Sequence, residues 1–439
     1  MTARLARLWP VWLAVAIRMV IWALLPEARF ASDEGSYVGA ARQLVEHCQQ
    51  DVFWPPLTGW LIAAVRWLFG PSHAIARGVW VALDVGTLVV LRLLAARVGA
   101  VVWPSGPVQA SRFTMLVSVG YALYLPAISH AQFTTSETPA LLLLLLALLA
   151  LTSRRSVALR HAGVGVLLGA LVLARPNLAP LGVVLPLAAR ARWSHALLSI
   201  AISCLIVAPV MMNTWATSGV LEVANSASYN LWLGNRPMYA EDLDLFRPAA
   251  TQEQIDIRRA GWSAQPPPSA LEQRRQALEW ISANPATFAR RVTGRLARVF
   301  VPKTDVLELV GGERRAGIFA PGPLGLLLTA NAEWSVMLFA GLAGLFVFRH
   351  RAPGVGLLFA STIVAATVLC LVAISKPRYS FVFEPLLLMG AALVLESPRA
   401  QLGVLNPRDR IALGATAAFL AWGWLAWLVF AFSSRLAAP

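Results

Sequence analysis

The chain has 439 residues, 58% of them hydrophobic and only 13% charged, with a formal net charge of +15. Soluble domains run near half apolar and a quarter charged, so this balance excludes an ordinary soluble enzyme and describes an integral membrane protein. Lys303 and Lys376 are the only lysines, so the positive excess is arginine set between apolar runs, which reports topology and argues against a nucleic-acid partner.

The hydropathy pattern predicts an all-α polytopic membrane protein. Spans fall near 8–25, 74–98, 112–131, 136–152, 157–174, 177–189, 195–213, 325–348, 354–374, 379–395 and 411–432, about eleven transmembrane helices at roughly 20 residues per crossing. Arg4 and Arg7 precede the first run as in a signal peptide, but no small-residue cleavage site follows, so it reads as a retained span. Pro180 and Pro186 make 177–189 a tilted or broken partner of the preceding helix. With the N-terminus cytoplasmic, Arg92 and Arg97, Arg154, Arg155 and Arg160, Arg190 and Arg192, Arg349 and Arg351, and Arg399, Arg408 and Arg410 all fall on the inner side, as the positive-inside rule asks. The expected organisation is an N-terminal membrane module over 1–213, an outer loop over 214–323 and C-terminal membrane helices over 324–439.

The first outer loop, 26–73, carries Asp33 and Glu34 directly after a span. Carboxylates at such a boundary are costly unless they bind something or do chemistry. Ser32 is placed to cap a short helix with both acids in its first turn, where the helix dipole favours negative charge, and Tyr37, Ala41, Leu44 and Val45 give it one apolar face. The run Leu57–Phe69 is too short to span and has Trp60 and Trp67 as interface anchors, so a second surface-lying helix is expected there.

Elsewhere, Glu137 opens a leucine-rich span, and Arg175 precedes Pro176 at membrane depth, to satisfy broken backbone carbonyls or to touch a ligand. Arg18 and Asp84 lie within spans, where each costs about 2.5–3.5 kcal/mol unpaired, so they either pair or line a ligand tunnel. Glu333 reads as interfacial. In the second outer loop, Gln265-Pro266-Pro267-Pro268 leads into two amphipathic segments, Leu271–Ala283 and Ala286–Phe300, split by Asn284-Pro285. Their arginines Arg290, Arg291, Arg295 and Arg298 are expected on anionic head groups of membrane lipids, with acceptor gripping as the sharper alternative. Cys48, Cys204 and Cys370 are too few for a disulfide framework, and no His or Cys cluster suggests a metal.

Several short motifs, in order, resemble the GT-C glycosyltransferases, specifically the group with protein mannosyltransferases and the lipid A aminoarabinose transferase. They are Asp33-Glu34-Gly35-Ser36-Tyr37 through Arg42, Trp54-Pro55-Pro56-Leu57, Thr135-Ser136-Glu137-Thr138-Pro139, Leu173-Ala174-Arg175-Pro176, Asn230-Leu231-Trp232-Leu233-Gly234-Asn235 and Lys376-Pro377-Arg378-Tyr379. The resemblance implies a GT-C-like fold and an inverting transfer of sugar from a polyprenyl-phosphate-linked donor to an acceptor hydroxyl, outside a plasma (inner) membrane. It implies Asp33 as base with Glu34 assisting, and Arg378, Lys376, Glu137, Tyr37, Tyr379 and Arg42 at the donor phosphate and sugar. Arg378 and Lys376 have the plainer alternative of anchoring a helix end, and Glu137 that of a helix-terminal charge. No cofactor is expected to be obligatory, although the paired acids are compatible with a divalent cation. The sequence ends at Pro439 just after a span, so the acceptor, whether lipid, glycan or protein, is expected to be recognised by the loops.

Two other functions share this topology. A flippase or exporter of lipid-linked glycans would use charges near the bilayer midplane, often in repeated halves; no such repeat is visible and the conspicuous acids lie at the rim. A polysaccharide polymerase would rely on loop arginines more than on an early acidic pair.

Overall fold

The computed structural model describes residues 8–25, 33–152, 156–189, 192–235, 268–310 and 321–436. Every regular element among the described residues is helical. Seven helices are long and apolar enough to cross a membrane, and four shorter apolar ones accompany them. The chain is a multi-pass membrane protein.

The first described helix, α1 (Trp9–Leu24), is one of the four shorter apolar ones. The segment that follows it forms α2 (Glu34–His47) and α3 (Pro56–Phe69), as the apolar spacing predicts. Pro56 occupies the first turn of α3, where its missing N–H costs nothing, so the proline pair starts that helix rather than merely ending what precedes it. There follow α4 (His73–Val102), α5 (Pro107–Leu123), the short α6 (Leu125–His130), α7 (Glu137–Leu151) and α8 (Val157–Ala174). The stretch read as broken is so: a 3-10 turn at Pro176–Leu178 precedes α9 (Leu181–Ala188), which contains Pro186. Next come α10 (Trp193–Ser218) and α11 (Ser226–Gly234), and within 214–323 α12 (Ala270–Ala283) and α13 (Pro285–Val299), separated at Asn284. Finally α14 (Pro321–Arg351), α15 (Pro353–Val372), a 3-10 turn at Pro377–Phe383, α16 (Glu384–Glu396), α17 (Pro398–Leu402) and α18 (Pro407–Leu436) complete the chain.

Lipid offers helices no hydrophobic drive to associate, so membrane helices approach through small residues. The most extensive pairing is between α14 and α16. It is made by Gly341 and Gly344 against Leu387 and Gly390, close enough that a Cβ on Gly344 would overlap the carbonyl of Gly390. The same device joins α8 to α10, where Gly165 and Gly169 face Ser199, Ile202 and Ile206.

Arg18 of α1 and Asp84 of α4, both fully buried, form an ion pair. Arg18 also donates to the carbonyl of Ala122 at 3.0 Å, and the Tyr121 hydroxyl donates to Asp84 at 2.6 Å. This pairing, one of the two alternatives read from the sequence, ties α1, α4 and α5 together.

Two arginines depart from expectation. Arg291 and Arg295 of α13 do not lie on head groups; both are buried in protein. Arg291 donates to the Gly234 carbonyl at 3.0 Å and lies over the Trp280 ring, while Arg295 donates to the carbonyls of Gly234, Leu371 and Val372. They satisfy the orphan carbonyls at the ends of α11 and α15, where the helix dipole favours a cation. Arg290 is exposed. Ser32 and 265–267 lie outside the described residues.

The glycine contact yields a direct test. Gly344→Ala forces α14 from α16 and is expected to cost about 1–3 kcal/mol as an overpacked site. Gly86→Ala on α4, with open space around its Cβ, is the control; thermal unfolding in detergent should show the first variant lower than wild type and the second not.

Candidate active site

Four parts of the chain converge at the start of α2. Asp33 is the N-cap of α2, yet its side chain makes no cap hydrogen bond with its own helix. It pairs instead with Arg378, 345 residues later. Arg378 also places its Nε 3.5 Å from Oε1 of Glu137, at the start of α7. The same Glu137 oxygen lies 3.0 Å from Nη1 of Arg175, whose guanidinium sits over the Tyr379 ring at 5.3 Å. Two acids thus alternate with two guanidinium groups.

Prolines aim both cations. A residue before proline is pushed out of the α region. Arg175, before Pro176, therefore ends α8 with φ −146° and ψ 95°, and Lys376, before Pro377, is extended at φ −132° and ψ 148°. Arg175 thus ends α8, and Lys376 leads into the 3-10 turn that carries Arg378. The sequence signal was the Arg-Pro and Lys-Pro-Arg steps; that both would reach one cluster was not visible in it.

Glu34 does different work from Asp33. It is fully buried and accepts hydrogen bonds from the backbone N–H and hydroxyl of Thr134 at 2.6 and 2.8 Å, with His73 Nε2 at 3.3 Å. It fastens the start of α2 to the buried segment 131–136 that leads into Glu137. Tyr37, one turn on, is buried against Trp54 with ring centroids 5.3 Å apart. Burial, followed by the charges of Glu137 and Asp33, pushes its phenol well above the ordinary value despite a hydrogen bond with Ser136, so it stays protonated. Lys376 is half-buried at the start of the turn that carries Arg378 and Tyr379. Arg42 is not brought to the cluster: it is exposed on α2, paired with Glu46 one turn away.

A second buried network, which sequence reading missed, lies behind Arg378. The ammonium of Lys303 pairs with Glu384 and donates to Ser380 and, at 2.8 Å, to the Pro377 carbonyl. Tyr124 donates to Glu384 at 2.9 Å, and Asp305 pairs with His130 at 2.8 Å. Burial alone would raise the Asp305 carboxyl, but His130 and Lys303 hold it below its ordinary value. The available signal was Glu384 itself, a carboxylate inside an apolar run.

Among the described residues no group of three or more His, Cys, Asp or Glu is placed to hold a metal. What the cluster offers is a carboxylate base beside guanidinium groups suited to an oxyanion.

No family model and no curated protein matches the chain. Solved structures resemble it. Apo ArnT from Cupriavidus metallidurans matches at 16% identity and a TM-score of 0.45 over 94% of this chain and 63% of its own. AglB from Archaeoglobus fulgidus, with an inhibitory peptide and a dolichol-phosphate, matches at 14% and 0.47 over 97% and 55%. ArnT bound to undecaprenyl phosphate matches at 15% and 0.40 over 90% and 81%. The chain thus spans less than two thirds of the length of apo ArnT and AglB. AglB is an oligosaccharyltransferase. Likeness at this level carries no weight for chemistry, which is read from the residues of the site.

The anchoring role of Glu34 is open to experiment. Glu34→Ala leaves the buried Thr134 N–H without its acceptor, an unpaired buried group worth about 1–3 kcal/mol, so its melting temperature should fall clearly, whereas Arg42→Ala should melt as wild type. Equal melting of Glu34→Ala and wild type would remove the anchoring role.

Proposed function

We propose that the protein is an inverting glycosyltransferase that moves a sugar from a polyprenyl-phosphate donor to an acceptor hydroxyl on the extracytoplasmic face of the plasma membrane. The observation that carries this reading is the cluster of Asp33, Arg378, Glu137 and Arg175, in which an exposed-edge carboxylate is held by a cation fit for phosphate. The motif resemblance to GT-C glycosyltransferases supports it.

The chemistry follows from the charges. A lipid phosphate is already a good leaving group, so the enzyme needs a base and a cationic clamp and no general acid. Asp33, with about 30% of its side chain exposed, is reachable, while its partner Arg378 is 13% exposed. A guanidinium binds phosphate bidentately as readily as it binds carboxylate. Donor phosphate therefore competes for Arg378, with Lys376 adding a point charge, and in doing so releases Asp33. The freed carboxylate takes the proton of the acceptor hydroxyl; the acceptor oxygen bonds to the anomeric carbon from the face opposite the phosphate; the carbon–phosphate oxygen bond breaks, and its electron pair leaves on the lipid phosphate, where Arg378 balances the charge. Glu137, held by Arg175, keeps Arg378 in place while its partner changes. Tyr37, as a neutral phenol, and Tyr379, stacked beneath Arg175, frame the sugar. Glu34 acts at one remove by fixing the start of α2. Acceptor recognition falls to the outer loops, and the acceptor is a hydroxyl on a lipid, glycan or protein.

The topology that goes with this reading has a cytoplasmic N-terminus, so a reporter near residue 45 registers outside and one near 155 inside. The decisive experiment uses purified protein with polyprenyl-phosphate sugars and candidate acceptors. Asp33→Asn keeps the shape and removes the base, so the transfer rate should fall by about 100-fold or more, with donor binding retained. Transfer by this variant at the wild-type rate ends the assignment.

A further inference from the structure

We propose that Lys303, in the second outer loop, is a positioning residue for Arg378, so that this loop sets the geometry of the donor phosphate site. The inference rests on the reading of Arg378 as the phosphate clamp.

The peptide unit that joins Pro377 to Arg378 has its carbonyl on Pro377, and that carbonyl accepts from the Lys303 ammonium at 2.8 Å. Fixing it fixes the plane from which the Arg378 side chain departs. The ammonium also donates to the Ser380 hydroxyl, on the other side of Arg378, and pairs with Glu384 at the start of α16. Ser380 in turn donates to Pro377 at 2.8 Å and lies 2.8 Å from Glu384. Lys303 is 1% exposed and its ammonium sits 4.4 Å from the Trp334 ring centroid. A lysine has three donors, and here three acceptors of one turn take them, which leaves it no capacity for a ligand and gives it a purely positional part.

Its own backbone is held equally firmly. Asn331 of α14 accepts from the Lys303 N–H at 2.6 Å and donates to its carbonyl at 3.1 Å. Six and five residues before Pro377, Arg295 from the same outer loop grips the carbonyls of Leu371 and Val372. Both ends of the segment that delivers Lys376 and Arg378 are therefore seized by cations of one loop. Burying a charge pair is costly, and replacing both partners by apolar residues of similar volume is often neutral or better for stability, whereas removing one alone leaves the other charge buried and unpaired; the pair makes sense here because it specifies one orientation of the turn.

The test is a double-mutant cycle on the full-length protein, reading its affinity for undecaprenyl phosphate. Arg378→Ala should weaken binding by tenfold or more. Lys303→Met should weaken it by a similar factor, and the double variant should bind no more weakly than Arg378→Ala alone, since a misaimed arginine and an absent one are equivalent. A purely structural role would give factors that multiply, the double variant binding more weakly than either single one. Should Lys303→Met not fold, Ser380→Ala, which removes one acceptor, carries the same cycle: a loss absorbed by Arg378→Ala supports the proposal and an independent loss overturns it. Lys303→Met binding within twofold of wild type while Arg378→Ala is impaired removes the positioning role alone; Arg378→Ala binding as wild type removes the clamp reading and the proposal with it.

Discussion

The ion pair between Asp33 and Arg378 organises everything around it, because an unpartnered charge at this depth is expensive and a partnered one dictates which segments must meet. Asp33 stands at the start of α2 and Arg378 in the turn before α16, so their union closes the molecule on itself. Glu137 then bridges Arg378 to Arg175. The result is an alternating cluster in which any one charge is stabilised by neighbours of opposite sign from different parts of the chain.

Two kinds of buried charge coexist. Arg18 and Asp84 are sealed together, with their remaining hydrogen-bonding capacity taken up by Tyr121 and the Ala122 carbonyl, and such a closed set serves as a fixed joint between helices. The Asp33 pair is different in kind. Its arginine is bonded to two carboxylates, of which Asp33 keeps about 30% of its side chain exposed, so this joint is open to solvent where the other is sealed.

Much of this was legible in the sequence for physical reasons. Hydrophobic length gave the helices, including the short α2 and α3 and the break around Pro176, because a bilayer punishes polar backbone severely and the sequence has little freedom to disguise it. Asp33, Glu137, Arg175 and Arg378 stood out as charges next to apolar runs. The roles of neighbours did not: Asp33 and Glu34 are adjacent in sequence but point to different partners, since successive residues on a helix face different directions. Arg291 and Arg295 looked like surface cations because an amphipathic helix displays its arginines the same way to lipid head groups as to the ends of other helices. Lys303 and Glu384 went unpaired in the sequence reading since nothing local connects residues so far apart.

The glycine contact between α14 and α16 has a mechanical consequence. Where backbone rests on backbone, no side chain can rotate to create slack, and α16 continues directly from the turn that bears Arg378. That arginine is therefore carried on a turn continuous with a helix seated backbone against backbone, and on the facing side Glu34, bonded to Thr134, anchors the start of α2, so the two halves of the Asp33–Arg378 pair are each mounted on a fixed support.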